Sequence, residues 1–270
     1  MLRIRILTAS FLAVALLVSL FVLPPVGTVW VFAAVMTLAA WEWAGFGALR
    51  YAAARLAYVA AMAALLWFSW VWTRTPAHLQ LFLGVACGWW GLAFCWMTLA
   101  PGQHRPLLTL LCGAPVLVPA FIALARVQLA PRGFARGPDM VLWMLLLVFA
   151  ADIGAYFAGR RFGRHKLAPR VSPGKTWEGA AGGLAAVALV AGMGAVHFGL
   201  PVLAGVALGC AVGIFSVVGD LTESMFKRAA GLKDSGTVLP GHGGVLDRLD
   251  SVTAAAPLYA WGLLGFGVIE

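Results

Sequence analysis

The chain has 270 residues, of which 62% are hydrophobic and 11% charged, with a mean hydropathy of +0.93. A soluble domain of this length needs far more charge to cover its surface, so the composition excludes a water-soluble globule and demands a lipid-facing surface. The formal net charge of +9 does not signal nucleic-acid binding: the basic residues lie between apolar runs, where a membrane protein keeps its cytoplasmic loops, and no nucleic-acid motif accompanies them.

Apolar runs long enough to span a bilayer fall near residues 6–24, 26–45, 53–72, 79–100, 107–126, 138–158, 177–198, 201–222 and 251–268. They predict an all-α polytopic membrane bundle of about nine transmembrane helices. The first run follows Arg3 and Arg5 and leads into Pro24-Pro25 and a second apolar run, with no small-residue cleavage site between. That pattern favours a retained helix over a signal peptide. With the N-terminus in the cytoplasm, fifteen basic residues fall on the cytoplasmic side. Only Arg74, Arg126, Arg132 and Arg136 fall outside, which accounts for all 19. The positive-inside rule selects this orientation and an odd helix count, because the basic loops at 159–176 and 223–250 must share a side. Cys87, Cys95, Cys112 and Cys210 lie within apolar segments without CxxC spacing, and read as small buried residues rather than disulfide or zinc partners.

The chain divides into residues 1–135, a tryptophan-rich set of transmembrane helices with little chemistry, and residues 136–270, a catalytic region whose site faces the cytoplasm. Ionisable groups at membrane depth cost about 2.5–3.5 kcal/mol on insertion scales and tend to face a cavity where they work. Asp152, Glu178, Asp220 and Glu223 lie in or just inside predicted spans. Asp220, Glu223, Ser224 and Lys227 are spaced i, i+3, i+4, i+7 and share one face of the eighth helix. A Glu223–Lys227 ladder at a helix end explains part of this stripe; Asp220 lies deeper than a helix end requires.

Glycine and proline between 231 and 244 end that helix and open a tight loop. Lys227, Arg228, Lys233 and Arg248 supply positive charge for phosphates, and Gly241, Gly243 and Gly244 let backbone amides approach an oxyanion. His242 has no second histidine nearby and reads as a general base, metal ligand or phosphate donor. Asp247 and Asp250 stand i, i+3 at the start of the ninth helix, opposite Asp220, and form a candidate magnesium site.

A second constellation runs from Asp152, Tyr156 and Gly159 to Ser172-Pro-Gly-Lys175-Thr176-Trp-Glu178-Gly179. Gly174-Lys175-Thr176 looks like a Walker fragment, but the upstream half is missing and the match is a coincidence. Two readings of the turn stand side by side: Ser172, Lys175 and Thr176 bind phosphate at the start of helix seven, or Ser172 and Pro173 are an ordinary N-cap.

The run from Ser224 to Asp250 resembles the signature of the phosphatidate cytidylyltransferases, or CDP-diacylglycerol synthases. Ser224, Lys227-Arg228, Lys233-Asp234, Pro240, His242-Gly243-Gly244, Asp247-Arg248 and Asp250 fill every fixed position. The two segments around Asp152 and Ser172 also look like this family, so the resemblance covers roughly residues 140–268. It implies transfer of a cytidylyl group from CTP to phosphatidic acid, giving CDP-diacylglycerol and pyrophosphate. Asp220 and Asp247 are then expected to hold a divalent metal, Mg2+, with Asp250, Glu223 and Asp152 as lesser ligands and room for a second ion. Lys227, Arg228 and Lys233 are expected on the phosphates of CTP. Ser172, Lys175 and Thr176 are expected on either the lipid phosphate or the nucleotide. His242, Gly243 and Gly244 would shape the phosphate loop, with Arg248 a phosphate ligand or a partner of the aspartates.

Two alternatives are distinguishable. One is a related CTP-dependent enzyme acting on another lipid phosphate or a polyprenol. The other is a transporter with the intramembrane acids as proton relays, which the lack of repeated halves argues against. Compact size and the lack of a targeting extension point to a bacterial inner membrane. Acyl preference, ion number and oligomeric state stay open, a homodimer being one option.

Overall fold

A computed structural model describes residues 2–99, 105–130 and 136–269. Arg132, one of the four outer basic residues, lies outside the described residues. Among those residues the chain forms nine α-helices: α1 Leu2–Phe21, α2 Pro25–Phe46, α3 Ala52–Trp72, α4 Pro76–Leu99, α5 Pro106–Gln128, α6 Gly137–Phe162, α7 Trp177–His197, α8 Val202–Ala229 and α9 Asp250–Gly265. The first eight are long and apolar enough to cross a membrane. The ninth has 16 residues, about 24 Å at 1.5 Å per residue, against a hydrocarbon core of about 30 Å.

All-helical spanning follows from the solvent. Lipid offers no hydrogen bonds, so each backbone group must be satisfied within its own helix. That pressure keeps α5 helical through Pro115 and Pro119. α5 is also the most enclosed span, and α1 the least. Side chains of neighbouring helices tie it in: the buried Trp43 Nε1 donates to the Thr109 carbonyl (2.7 Å) and the half-buried Tyr58 Oη to the Leu110 carbonyl (2.8 Å).

α6 and α7 pack tightly because their contact is built from small residues. A Cβ on Gly154 would lie 2.8 Å from the Ala186 Cβ, and one on Gly183 2.6 Å from the Ala151 carbonyl oxygen. In membranes such small-residue faces let backbones approach and replace the hydrophobic drive that lipid removes.

Between α6 and α7 the chain makes a short antiparallel hairpin, β1 Lys166–Ala168 and β2 Ser172–Thr176. This corrects one reading of the turn. Ser172 and Pro173 do not cap α7; they lie in β2. The extended backbone continues to Thr176 (φ −130°, ψ 155°), whose hydroxyl caps the helix by accepting from the Gly179 amide at 3.1 Å. Helix α8 runs past the predicted residue 222 to Ala229, so the whole polar stripe is helical. The hairpin, the loop after α8 and the start of α1 meet at one end of the bundle: Thr8 Oγ1 donates to the Pro240 carbonyl (3.1 Å), and Lys175 pairs with Asp220.

Candidate active site

The last turns of α8 place Lys227 in a buried position between two carboxylates. Its ammonium lies 3.0 Å from Glu223 Oε1 and 2.7 Å from Asp247 Oδ1. Asp247 belongs to a single 3-10 turn, Leu246–Arg248, just before α9. Its other oxygen accepts from two backbone amides, Ser235 (2.9 Å) and Gly244 (2.9 Å). Burial opposes ionisation of this carboxyl, but the Lys227 hydrogen bond and the two amides outweigh it and hold Asp247 below the usual aspartate range. The residue therefore ties the two ends of the loop to each other and to α8.

A residue from the N-terminal region, with little local sign in the sequence, completes this network. Glu42 of α2 is 3% exposed. Its Oε2 accepts from the Ser235 hydroxyl (2.9 Å) and the Leu246 amide (2.8 Å), and its Oε1 from the Val245 amide (3.0 Å). A lone acid at membrane depth between Trp41 and Trp43 was the available signal, because such a charge demands partners.

The second constellation meets the first at Asp220. Lys175, carried by β2, places its Nζ 2.6 Å from Asp220 Oδ2, while Ser224 Oγ donates to Asp220 Oδ1 at 3.3 Å. The charges of Lys175 and Asp220 both reach Asp152, and those of Asp220, Lys175 and Lys227 reach Asp250. Glu178, in the first turn of α7, accepts from the amides of Arg164 (3.0 Å) and His165 (3.2 Å) and pairs with the His165 ring at 2.6 Å. It fixes the approach to the hairpin and lies outside the carboxylate group.

Two cavities open beside these groups. The larger, about 590 Å³, is lined by Arg5, Lys233, Asp234, His242, Gly243 and Arg248 among others. The smaller, about 370 Å³, is lined by Asp152, Tyr156, Arg160, Lys175 and Thr176 on an otherwise apolar wall. Lys233, His242, Gly243 and Arg248 thus share one cavity, joined by Arg5 of α1, which the sequence reading did not single out. Arg248 also donates to the His242 carbonyl (3.0 Å).

Several expected residues occupy supporting positions. Gly244 is buried and spends its amide on Asp247, and the His242 amide donates to the Leu239 carbonyl at 2.9 Å. Gly241 and Gly243 hold positive φ values of 76° and 83°, which glycine adopts without strain. Arg228 is exposed and donates to the Leu232 carbonyl (3.2 Å). Thr176 is spent on the α7 cap, and Ser172 stands at the far end of β2, outside the smaller cavity. Lys227 lines neither cavity.

Among the described residues no three His, Cys, Asp or Glu side chains form a ready-made metal cage. The donor chemistry nevertheless fits a hard cation. Magnesium takes one or two carboxylates and completes its shell with water and substrate phosphates. Asp220 and Asp250 offer carboxylates within electrostatic reach of each other. Asp220 bonds Lys175 and Ser224 but stays about a quarter exposed, whereas Asp247 is 6% exposed with both oxygens on protein donors.

Fold and site together define an integral membrane protein with a cation-lined, carboxylate-flanked site at one end of its helical bundle. Comparison with known proteins narrows this class. Residues 3–264 match the cytidylyltransferase family, and the chain belongs to that family. It is 40% identical over 284 residues to the phosphatidate cytidylyltransferase of Haemophilus influenzae, covering 97% of this chain and 98% of the relative. It is 42% identical over 270 residues to that of Pseudomonas aeruginosa, covering 96% of each. Similarity to the Brucella suis enzyme of the same name is higher, 48%, but spans 143 residues, half of this chain.

Proposed function

We infer that the chain transfers a cytidylyl group from CTP to phosphatidic acid, forming CDP-diacylglycerol and pyrophosphate. The observation that carries this reading is similarity over nearly the full length of both chains to two relatives bearing that activity in their names. The site suits the chemistry. Both substrates are polyanions, and one is a lipid.

In this reading the larger cavity takes the phosphates of CTP, with Lys233, Arg248, His242 and Arg5 as cationic or polar contacts. The smaller cavity, apolar apart from Asp152, Tyr156, Arg160, Lys175 and Thr176, takes the lipid phosphate against Lys175. A phosphatidate oxygen forms the new bond to the α-phosphorus, and the bond from that phosphorus to the β-bridging oxygen breaks, releasing pyrophosphate. The protein forms no covalent bond; positioning and charge neutralisation supply the catalysis. Asp220 and Asp250 are the fitting magnesium ligands, with Asp152 alongside, and the ion would neutralise the phosphates of the nucleotide. Asp247, Glu223 and Lys227 act beneath the loop. The site faces the cytoplasm of a bacterial inner membrane, the side selected by the basic residues, and a homodimer is compatible with the exposed apolar faces.

Purified protein in detergent, given α-labelled CTP, Mg2+ and phosphatidic acid, is expected to yield labelled lipid and stoichiometric pyrophosphate. Turnover restricted to another lipid phosphate or a polyprenyl phosphate would reassign the lipid. No turnover with any of them would overturn the reading.

A further inference from the structure

We propose that Glu42 of α2 is a positioning residue for the nucleotide loop, acting through Ser235, Val245 and Leu246. The proposal rests on the function inferred above and adds a role for the N-terminal region.

Among the described residues the carboxylate has no cation in its contacts. It takes three donors instead: the Ser235 hydroxyl and the Val245 and Leu246 amides. Those donors flank residues 236–243, which supply most of the lining of the larger cavity. Holding both ends from one point fixes the span between them, and hydrogen bonds to a charged acceptor are the stronger kind. The chain also makes room for the carboxylate. A Cβ on Gly236 would lie 2.5 Å from Glu42 Oε1, and one on Gly244 would collide with Glu42 Oε2. Gly236 and Gly244 thus leave the space that an acid some 200 residues earlier in the chain occupies.

The link continues into the buried charges. Ser235 Oγ, donating to Glu42, accepts from the Asp247 amide at 3.3 Å, and the Ser235 amide donates to Asp247 Oδ2. Asp247 in turn holds Lys227. A continuous path thus runs from α2 through the loop to α8. Glu42 itself lines neither cavity, so it acts through the loop and not on substrate.

Substituting Glu42→Gln turns one acceptor into a donor that faces an N–H or O–H already donating. Ser235→Ala removes a single hydroxyl from the same network and is the gentler change. Both variants are compared with the full-length enzyme in detergent, with thermal unfolding recorded for each. The expected result is a KM for CTP raised about tenfold or more in Glu42→Gln, consistent with loss of a charge-assisted hydrogen bond. Ser235→Ala should shift in the same direction by less, and KM for phosphatidic acid should change little in both. A folded Glu42→Gln with unchanged KM for CTP would overturn the proposal. So would equal loss for both substrates tracking the unfolded fraction. If Glu42→Gln does not fold, Ser235→Ala decides alone. Failure of the functional reading is separately visible, because the unsubstituted protein would then turn over no CTP.

Discussion

Lys175 Nζ lies 2.6 Å from Asp220 Oδ2, and this ion pair joins the hairpin before α7 to the polar face of α8. Both side chains are about a quarter exposed and Lys175 lines the smaller cavity, so the pair is not sealed within the core. A partly screened pair contributes little to stability; its position favours a role in binding. Asp220→Asn is expected to abolish CTP incorporation into lipid while the protein still inserts and purifies as a folded species. Lys175→Met should raise KM for phosphatidic acid more than KM for CTP. Near-normal turnover by Asp220→Asn would remove that residue from the metal site.

Lys227 is a different case. It is buried between Glu223 and Asp247, and removing one member of a buried charge group leaves the others uncompensated, at about 3–5 kcal/mol. Lys227→Ala is expected to lower the unfolding temperature in detergent markedly as well as abolish activity. Arg228→Ala, one residue along on an exposed position, should do neither to that degree. Unchanged thermal stability in Lys227→Ala would return Lys227 to direct contact with substrate.

Asp247 gives the pH dependence its sign. Its folded pKa lies below the unfolded aspartate value of about 3.9. The stabilisation is therefore complete above that value and is lost as the pH falls through the lower, folded one. The unfolding-temperature difference between the unsubstituted protein and Asp247→Asn should be widest near neutrality and shrink below about pH 4. A difference that stays constant down to pH 3 would contradict the bonding described here.

Helices were legible from sequence because lipid imposes one rule on every span, a long apolar run, and all nine predicted runs correspond to helices. The polar stripe on α8 was legible because i, i+3, i+4, i+7 spacing fixes a face regardless of tertiary structure. The hairpin at 166–176 was not. Its two strands are three and five residues long, too short for a period-2 pattern to show. Glu42 could be noticed as an acid at depth, but its partners lie some 200 residues away, and no local pattern encodes such a pairing. For the same reason Gly244 read as a phosphate-loop glycine, whereas its amide goes to Asp247 and its Cα abuts Glu42.

The shortness of α9 bears on membrane topology. Gly219 packs against the Asp250 carbonyl, so α9 begins level with Asp220 and ten residues before the end of α8 at Ala229. Ten helical residues are about 15 Å, and Asp220 and Asp250 are recessed by nearly that amount below the end of α8. From Gly219 back to Val202, α8 covers about 26 Å, close to the 24 Å of α9. The two helices therefore reach similar depth at the far end, and α9 needs only 16 residues to get there because it starts inside the membrane. A reporter fused after the last residue is expected to score as periplasmic, and one inserted at the exposed Lys233 as cytoplasmic. A cytoplasmic C-terminal reporter would mean that α9 turns back within the membrane, and the nine-span arrangement would fail.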